Sequence, residues 1–102
     1  MLFHIPGRDL DLEASSRFAI PPNWQKPGIY QVWVGDQSYI GKSKNVYRRL
    51  KLDWSHTWFE AWHRARVLSL FDEISSRDLN NAEAYWIDLL RPQLNLAPVR
   101  FQ

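Results

Sequence analysis

Cysteine is absent from the 102 residues, so the chain has no disulfide framework and no thiolate zinc site. Glycine is scarce, with 4 residues, and none of them form a Gly-rich phosphate loop. No apolar run approaches the ~18 residues that a membrane-spanning helix needs. The opening MLFHIPGRDLDLE lacks a basic n-region and is broken at Pro6-Gly7, which argues against a secretory signal. A strong charge of one sign is missing as well. Lys+Arg 13 against Asp+Glu 11 leaves +2, with a pI near 9.2, which permits a nucleic-acid partner without demanding one. Internal repeats, low-complexity tracts and heptads are also missing. These absences lead to the expectation of an intracellular, cytoplasmic protein with no membrane segment and no small-molecule cofactor.

What is present is globular. Hydrophobic residues make up 45% and charged residues 24%, and the length suits one small domain with a single core. Residues 1–27 contain Pro6, Pro21, Pro22 and Pro27 together with Gly7. They read as an irregular extension with a short helix near Leu12 to Arg17. Phe3, Phe18, Ile20 and Trp24 are the candidates for anchoring it on the core.

The stretch from Gly28 to Arg49 organises the rest. A β-branched and aromatic run ends at Gly35-Asp36, and a second run extends from Ser38 to Gly41. Two such runs joined by Gly-Asp read as a β-hairpin. If the loop is the two residues Gly35-Asp36, Val34 faces Gln37 and Val32 faces Tyr39. Tyr30 and Tyr39 then point to one side of the sheet, whereas a three-residue loop would break that alignment. Ser43 stands where a helix N-cap would stand, and a helix is expected from about Lys44 to Asp53. At 100° per residue, Val46, Tyr47, Leu50 and Trp54 share its apolar side. Arg48 lies opposite, in solvent, whereas Arg49 borders the stripe.

Trp54, Trp58 and Trp62 continue that spacing. They read either as a stacking platform for unpaired bases or as a buried core face, and the second is preferred. A third strand is expected around Arg64 to Phe71, with His63, Arg64 and Arg66 as a basic cluster at its start. SSRDLNNAE opens a last helix that ends near Leu90, before Pro92. Its apolar side is Leu79, Ala82, Trp86, Leu89 and Leu90, with Asp88 opposite. Glu83 lies on the flank of the apolar side. A carboxylate there calls for a metal ion or an Arg, or it closes a capping box with Asn80. The tail RPQLNLAPVRFQ reads as a loop, fixed by Asn95.

Gly28-Ile29-Tyr30, Tyr39-Ile40-Gly41-Lys42 and Arg49, followed by Glu83 and Asn95, resemble the GIY-YIG nuclease family. The resemblance covers about residues 28 to 96 and implies a nuclease domain over 28–102, with 1–27 packed on it. The implied fold is α/β (α+β), a three-stranded antiparallel sheet flanked by helices. The implied activity is metal-dependent hydrolysis of DNA phosphodiester bonds with one Mg²⁺ or Mn²⁺ held by Glu83. Tyr30, helped by Tyr39, would orient or deprotonate the attacking water. Lys42 would supply the positive charge that lowers a tyrosine pKa, and Arg49 would bind the phosphate in a fork. Gly41 and Asn95 would support the site wall. Lys44, His63, Arg64 and Arg66 are the candidates for contact with DNA.

One position departs from the family pattern. Many members carry His four residues after the helix Arg, and here that residue is Asp53. Asp53 can pair with Arg49 at i, i+4 but cannot replace an imidazole. His56, His63 and Tyr47 are the candidates to fill the gap. The repair-type branch, similar to the nuclease domain of the bacterial excision-repair incision subunit, does without this His. No segment is left over for a base-reading element, so low sequence specificity and a preference for single-stranded or branched DNA are expected. Double-strand cutting would call for a homodimer. The rival readings are an inactive domain that binds DNA or a partner nuclease, a Trp-rich interaction module, and a sequence-specific restriction- or homing-type enzyme.

Overall fold

In the computed structural model, residues 13–52 and 62–96 are described. The fold is α+β. Four strands, β1 (Glu13–Ala14), β2 (Gly28–Val34), β3 (Gln37–Ser43) and β4 (Arg64–Leu70), form one sheet in the order β1-β4-β2-β3. Every neighbouring pair is antiparallel. The helices are α1 (Val46–Leu52), α2 (Ser76–Leu90) and α3 (Gln93–Leu96). The sheet therefore has four strands, not three. The additional strand is the two-residue β1, which pairs Glu13 with Arg66 and Ala14 with Ala65. It lies where a short helix was expected.

The hairpin forms in the expected register: Val34 faces Gln37, Val32 faces Tyr39 and Tyr30 faces Gly41. Gly35 supplies the positive φ of 64° with which such a tight turn opens. β2 is the central strand and is covered on both faces. Alternation sends Tyr30 and Val32 into one core with Trp24, Val46, Leu50 and Trp62. It sends Ile29 to the other face, where Ile40, Leu68 and Leu79 pack beneath α2. α1 thus roofs one face and α2 the other. β3, at the sheet edge, lies within reach of both helices.

Several local expectations change. Asn45, not Ser43, caps α1: its Oδ1 accepts from the Arg48 N–H at 3.0 Å, and its carbonyl accepts from Arg49 N–H at 3.1 Å. Ser43 is held in β3 by its pairing with Gly28, and its hydroxyl closes a small turn onto Asn45. Ser75 caps α2, accepting from the Asp78 N–H at 3.1 Å. Asn80 and Glu83 are therefore helix-interior residues, and the capping-box reading of Glu83 falls. Leu89 and Leu90 are exposed, and the buried stripe of α2 is instead Leu79, Ala82, Trp86 and Ile87. In the extension, Ile20 and Trp24 are buried as expected, but Phe18 is 87% exposed beside Arg17. The segment after α2 is not a loop throughout, because α3 forms there. Trp62 lies in the core with Leu50, which fits the core reading for that residue. Phe3, Asp53, Trp54, His56 and Trp58 lie outside the described residues.

Candidate active site at the sheet edge

Two strands and two helices bring the motif residues to β3. Tyr30 and Tyr39 project from the same face, with ring centroids 6.5 Å apart and planes inclined at 49°. Tyr30 is 1% exposed and Tyr39 only partly buried. The Tyr30 ring lies over its cross-strand partner Gly41. A Cβ at position 41 would run into the Tyr30 hydroxyl and stand 2.6 Å from Tyr30 Cζ and 2.9 Å from Tyr39 Cε2. Gly41 is therefore a matter of space: it leaves room for two tyrosines to share one side of the hairpin. Gly28 has a comparable role, since a Cβ there would meet the Ser69 carbonyl of β4.

α1 is fixed against the start of β2 by the Val46 N–H, which donates to the Lys26 carbonyl at 3.0 Å. This sets the helix phase. Arg48 is exposed, and Arg49 is partly buried. On the other side of β3, Lys42 shares the face of Ile40 and meets α2. Its Nζ lies 3.9 Å from Glu83 Oε1, a loose ion pair, with side-chain exposures of 40% and 23%. Glu83 stands between Leu79 and Ile87 on the packed side of α2, whereas Asp88 is 87% exposed and paired with Arg91.

Electrostatics links the two sides of the strand. Burial, and then the Glu83 carboxylate, push the Tyr39 pKa above the ordinary tyrosine value, while Arg49 draws it down. The charge that favours ionised Tyr39 is thus that of Arg49. Lys42, the residue expected to supply it, is paired with Glu83. Arg49 of α1 and Glu83 of α2 are thus both near enough for their charges to act on Tyr39 of β3.

Asn95 holds the wall of the site. Its Oδ1 accepts from the Ile40 N–H at 2.7 Å and its Nδ2 donates to the Ile40 carbonyl at 2.8 Å. Ile40 is the residue between Tyr39 and Gly41, so the clamp sits on the motif strand itself.

The remaining candidates divide. Lys44 is exposed and reaches the Ile74 carbonyl at 3.5 Å, next to the start of α2. The Tyr47 hydroxyl accepts from Lys51 Nζ at 3.0 Å, one turn along α1. His63 Nε2 lies 2.9 Å from the Gly35 carbonyl, at the hairpin turn. Arg64 and Arg66 stack on Trp33, with guanidinium carbons 4.3 and 5.5 Å from the ring centroid. The His63, Arg64 and Arg66 cluster therefore belongs to the turn end of the sheet. Trp33 is not among the residues that the sequence singles out, since nothing local marks two arginines over its ring.

Among the described residues, no three His, Asp or Glu side chains gather into a metal-binding group. Among the described residues, the carboxylate beside Lys42 on β3 is that of Glu83. That donor set suits Mg²⁺ or Mn²⁺, since magnesium sites commonly use one or two carboxylates and keep several waters. No helix among the described residues is long and apolar enough to cross a membrane. No family model, no curated protein and no solved structure matches the chain.

Proposed function

We propose that this chain is a divalent-metal-dependent DNA endonuclease of the GIY-YIG type, hydrolysing phosphodiester bonds. What supports the reading is the placement of Tyr39 on β3, beside Gly41 and Tyr30, with Lys42 of the same strand 3.9 Å from Glu83 of α2 and with the charges of Arg49 and Glu83 both felt by the Tyr39 hydroxyl. A phosphodiester hydrolase needs a positioned water, a cation on the scissile phosphate and help for the leaving oxygen. Each need has a candidate residue here.

Arg49 binds the phosphate, because its planar fork matches phosphate oxygens in a way that lysine cannot. The resemblance gives the water first to Tyr30, but Tyr30 is 1% exposed and Tyr39 only partly buried, so we assign the orienting of the attacking water to Tyr39. Tyr30, buried behind it, keeps the Tyr39 ring in place. Glu83 holds one Mg²⁺ or Mn²⁺, which when bound supplies Lewis-acid charge at the phosphate. Lys42 leaves its loose pairing with Glu83 for a phosphate oxygen when DNA is present. Asn95 and Gly41 keep the strand in the shape that these positions need. Substrate choice follows DNA structure rather than base sequence, with single-stranded or branched DNA preferred.

The test is incubation of the purified protein with single-stranded, duplex and branched DNA, with and without Mg²⁺ or Mn²⁺. Metal-dependent cutting that disappears in Glu83→Ala, with DNA binding retained, is the expected result. DNA binding without cutting in any metal would instead identify an inactive binding domain. A sharp recognition sequence would point to a restriction- or homing-type enzyme.

A further inference from the structure

We propose that Trp33, Arg64 and Arg66 form a second contact surface for single-stranded polynucleotide, at the turn end of the sheet face that carries Lys42. The proposal rests on the nuclease reading for its choice of ligand and adds a site remote from the reacting phosphate.

Pairing places Trp33 opposite both Ser38 and Arg64, and Gln31 opposite Arg66, all on one face. Two guanidinium groups lie over one indole, at 4.3 and 5.5 Å from its centroid. Beneath them runs a short polar chain. Ser38 Oγ accepts from Gln31 Nε2 at 3.1 Å, and Gln31 Oε1 accepts from Arg66 Nε at 2.9 Å. Gln31 and Ser38 are 5% and 6% exposed. Buried polar side chains on a sheet face need a reason, since apolar residues would pack there without desolvating a dipole. Here the effect is to fix Arg66. The bond uses Nε, one of five N–H donors on a guanidinium.

The second arginine is held weakly. Arg64 Nε lies 3.3 Å from Glu13 Oε1, with side-chain exposures of 46% and 52%. An exposed pair of this kind contributes little and is readily exchanged for another anion. Burial, and then the charge of Arg64, lower the pKa of Arg66, with Glu13 opposing. An anion between the two arginines would relieve their repulsion. A phosphate meets that need, and a base stacks on the flat cationic and aromatic surface beside it.

The position suits a strand already engaged at the candidate active site. Lys42 is opposite Ile29, and Trp33 lies four residues further along β2. At about 3.3 Å per residue the two points are roughly 13 Å apart along the strand; α2 packs on Ile29 and Ile40 between them, so a polynucleotide that reaches both passes beside that helix. An acidic peptide could use the arginines, but nothing in it would use the indole.

The test is binding of a labelled oligothymidylate to the full chain in EDTA, read by fluorescence anisotropy across a salt series. Arg64→Gln/Arg66→Gln should reduce the slope of log K against log salt by about 1.4, at roughly 0.7 for each phosphate no longer neutralised. Trp33→Leu should weaken binding by about fivefold or more, and Trp33→Phe by less. If the double variant does not fold, Arg64→Gln alone decides, with an expected slope change of about 0.7. Unchanged slopes in folded variants overturn the proposal, and if cutting persists the nuclease reading stands without it. Equal competition by polyglutamate also overturns it, in favour of an acidic protein partner. Arginine-dependent binding by a chain that never cuts supports the surface and removes the nuclease reading alone.

Discussion

Asn95 completes both hydrogen bonds of the Ile40 peptide group, at 2.7 and 2.8 Å, across 55 residues of sequence. Ile40 is on an edge strand, where backbone donors and acceptors have no further strand to pair with. The Asn95 amide stands in for that strand at a single residue. It does so in the middle of the Tyr39-Ile40-Gly41 segment, which links the C-terminal part of the chain to the site.

Asn95→Ala should therefore lower stability by about 1–3 kcal/mol, the range for two hydrogen bonds of which one partner is removed. In a domain of this size that corresponds to a fall in Tm of several degrees or more. Asn95→Asp keeps an acceptor for the Ile40 N–H but loses the donor to its carbonyl, and it should be intermediate. Thermal melts of the two variants check this. Equal stability in wild type and Asn95→Ala would show that water replaces the clamp fully.

Gly41→Ala should be disruptive for a different reason. The added methyl would stand 2.6 Å from Tyr30 Cζ, and that ring is fully buried and cannot swing away. Overpacking of this kind typically costs about 1–3 kcal/mol. In Gly41→Ala/Tyr30→Leu the methyl gains room, so much of the loss should be recovered. Chemical denaturation of the single and double variants measures the coupling, and simple additivity would contradict the steric explanation.

These two residues mark what the sequence made legible. The hairpin register, the shared face of the tyrosines and the phases of Arg48, Arg49, Glu83 and Asp88 follow from two periodicities and one two-residue turn. Such features are local, and the structure has them as expected. The sequence did not disclose the features that depend on a distant partner. β1 is two residues long and has no periodicity of its own; it exists because the edge of β4 accepts it. Ser43 and Asn45 are both good capping residues, and the choice is made by Gly28, which keeps Ser43 in the sheet. The Arg64–Trp33–Arg66 stack needs the β2–β4 register, to which no local pattern points.

For the helix arginines, Arg49→Ala should lose cleavage by about 10²–10³, the scale for one transition-state charge contact. Arg48→Ala should keep most activity, because its side chain is exposed. Arg48→Ala should melt near wild type, since the α1 cap rests on the Asn45 side chain and backbone rather than on that guanidinium. Turnover measured at saturating metal separates them. Equal losses would mean that both arginines serve only to attract DNA.

The sharpest division is between the two tyrosines. Both carry a hydroxyl, and their rings are neighbours at 6.5 Å, but they differ in exposure. A residue that positions water must present its hydroxyl to solvent. Tyr39 is the more exposed of the pair, on an edge strand and under the charges of Arg49 and Glu83. Tyr30 is 1% exposed and its ring covers Gly41. Tyr39→Phe should therefore abolish most cleavage while keeping the ring and its place beside Tyr30. Tyr30→Phe should keep the ring and its packing over Gly41, lose about 1 kcal/mol of stability with the buried hydroxyl, and retain measurable turnover. Tyr30→Leu should lose both stability and activity, because the Tyr39 ring then has no neighbour to hold it. Single-turnover cleavage and thermal melts on the three variants give the comparison. If Tyr30→Phe were inactive and Tyr39→Phe active, the proton would have to move through the buried hydroxyl, and the roles assigned to the two residues would be exchanged.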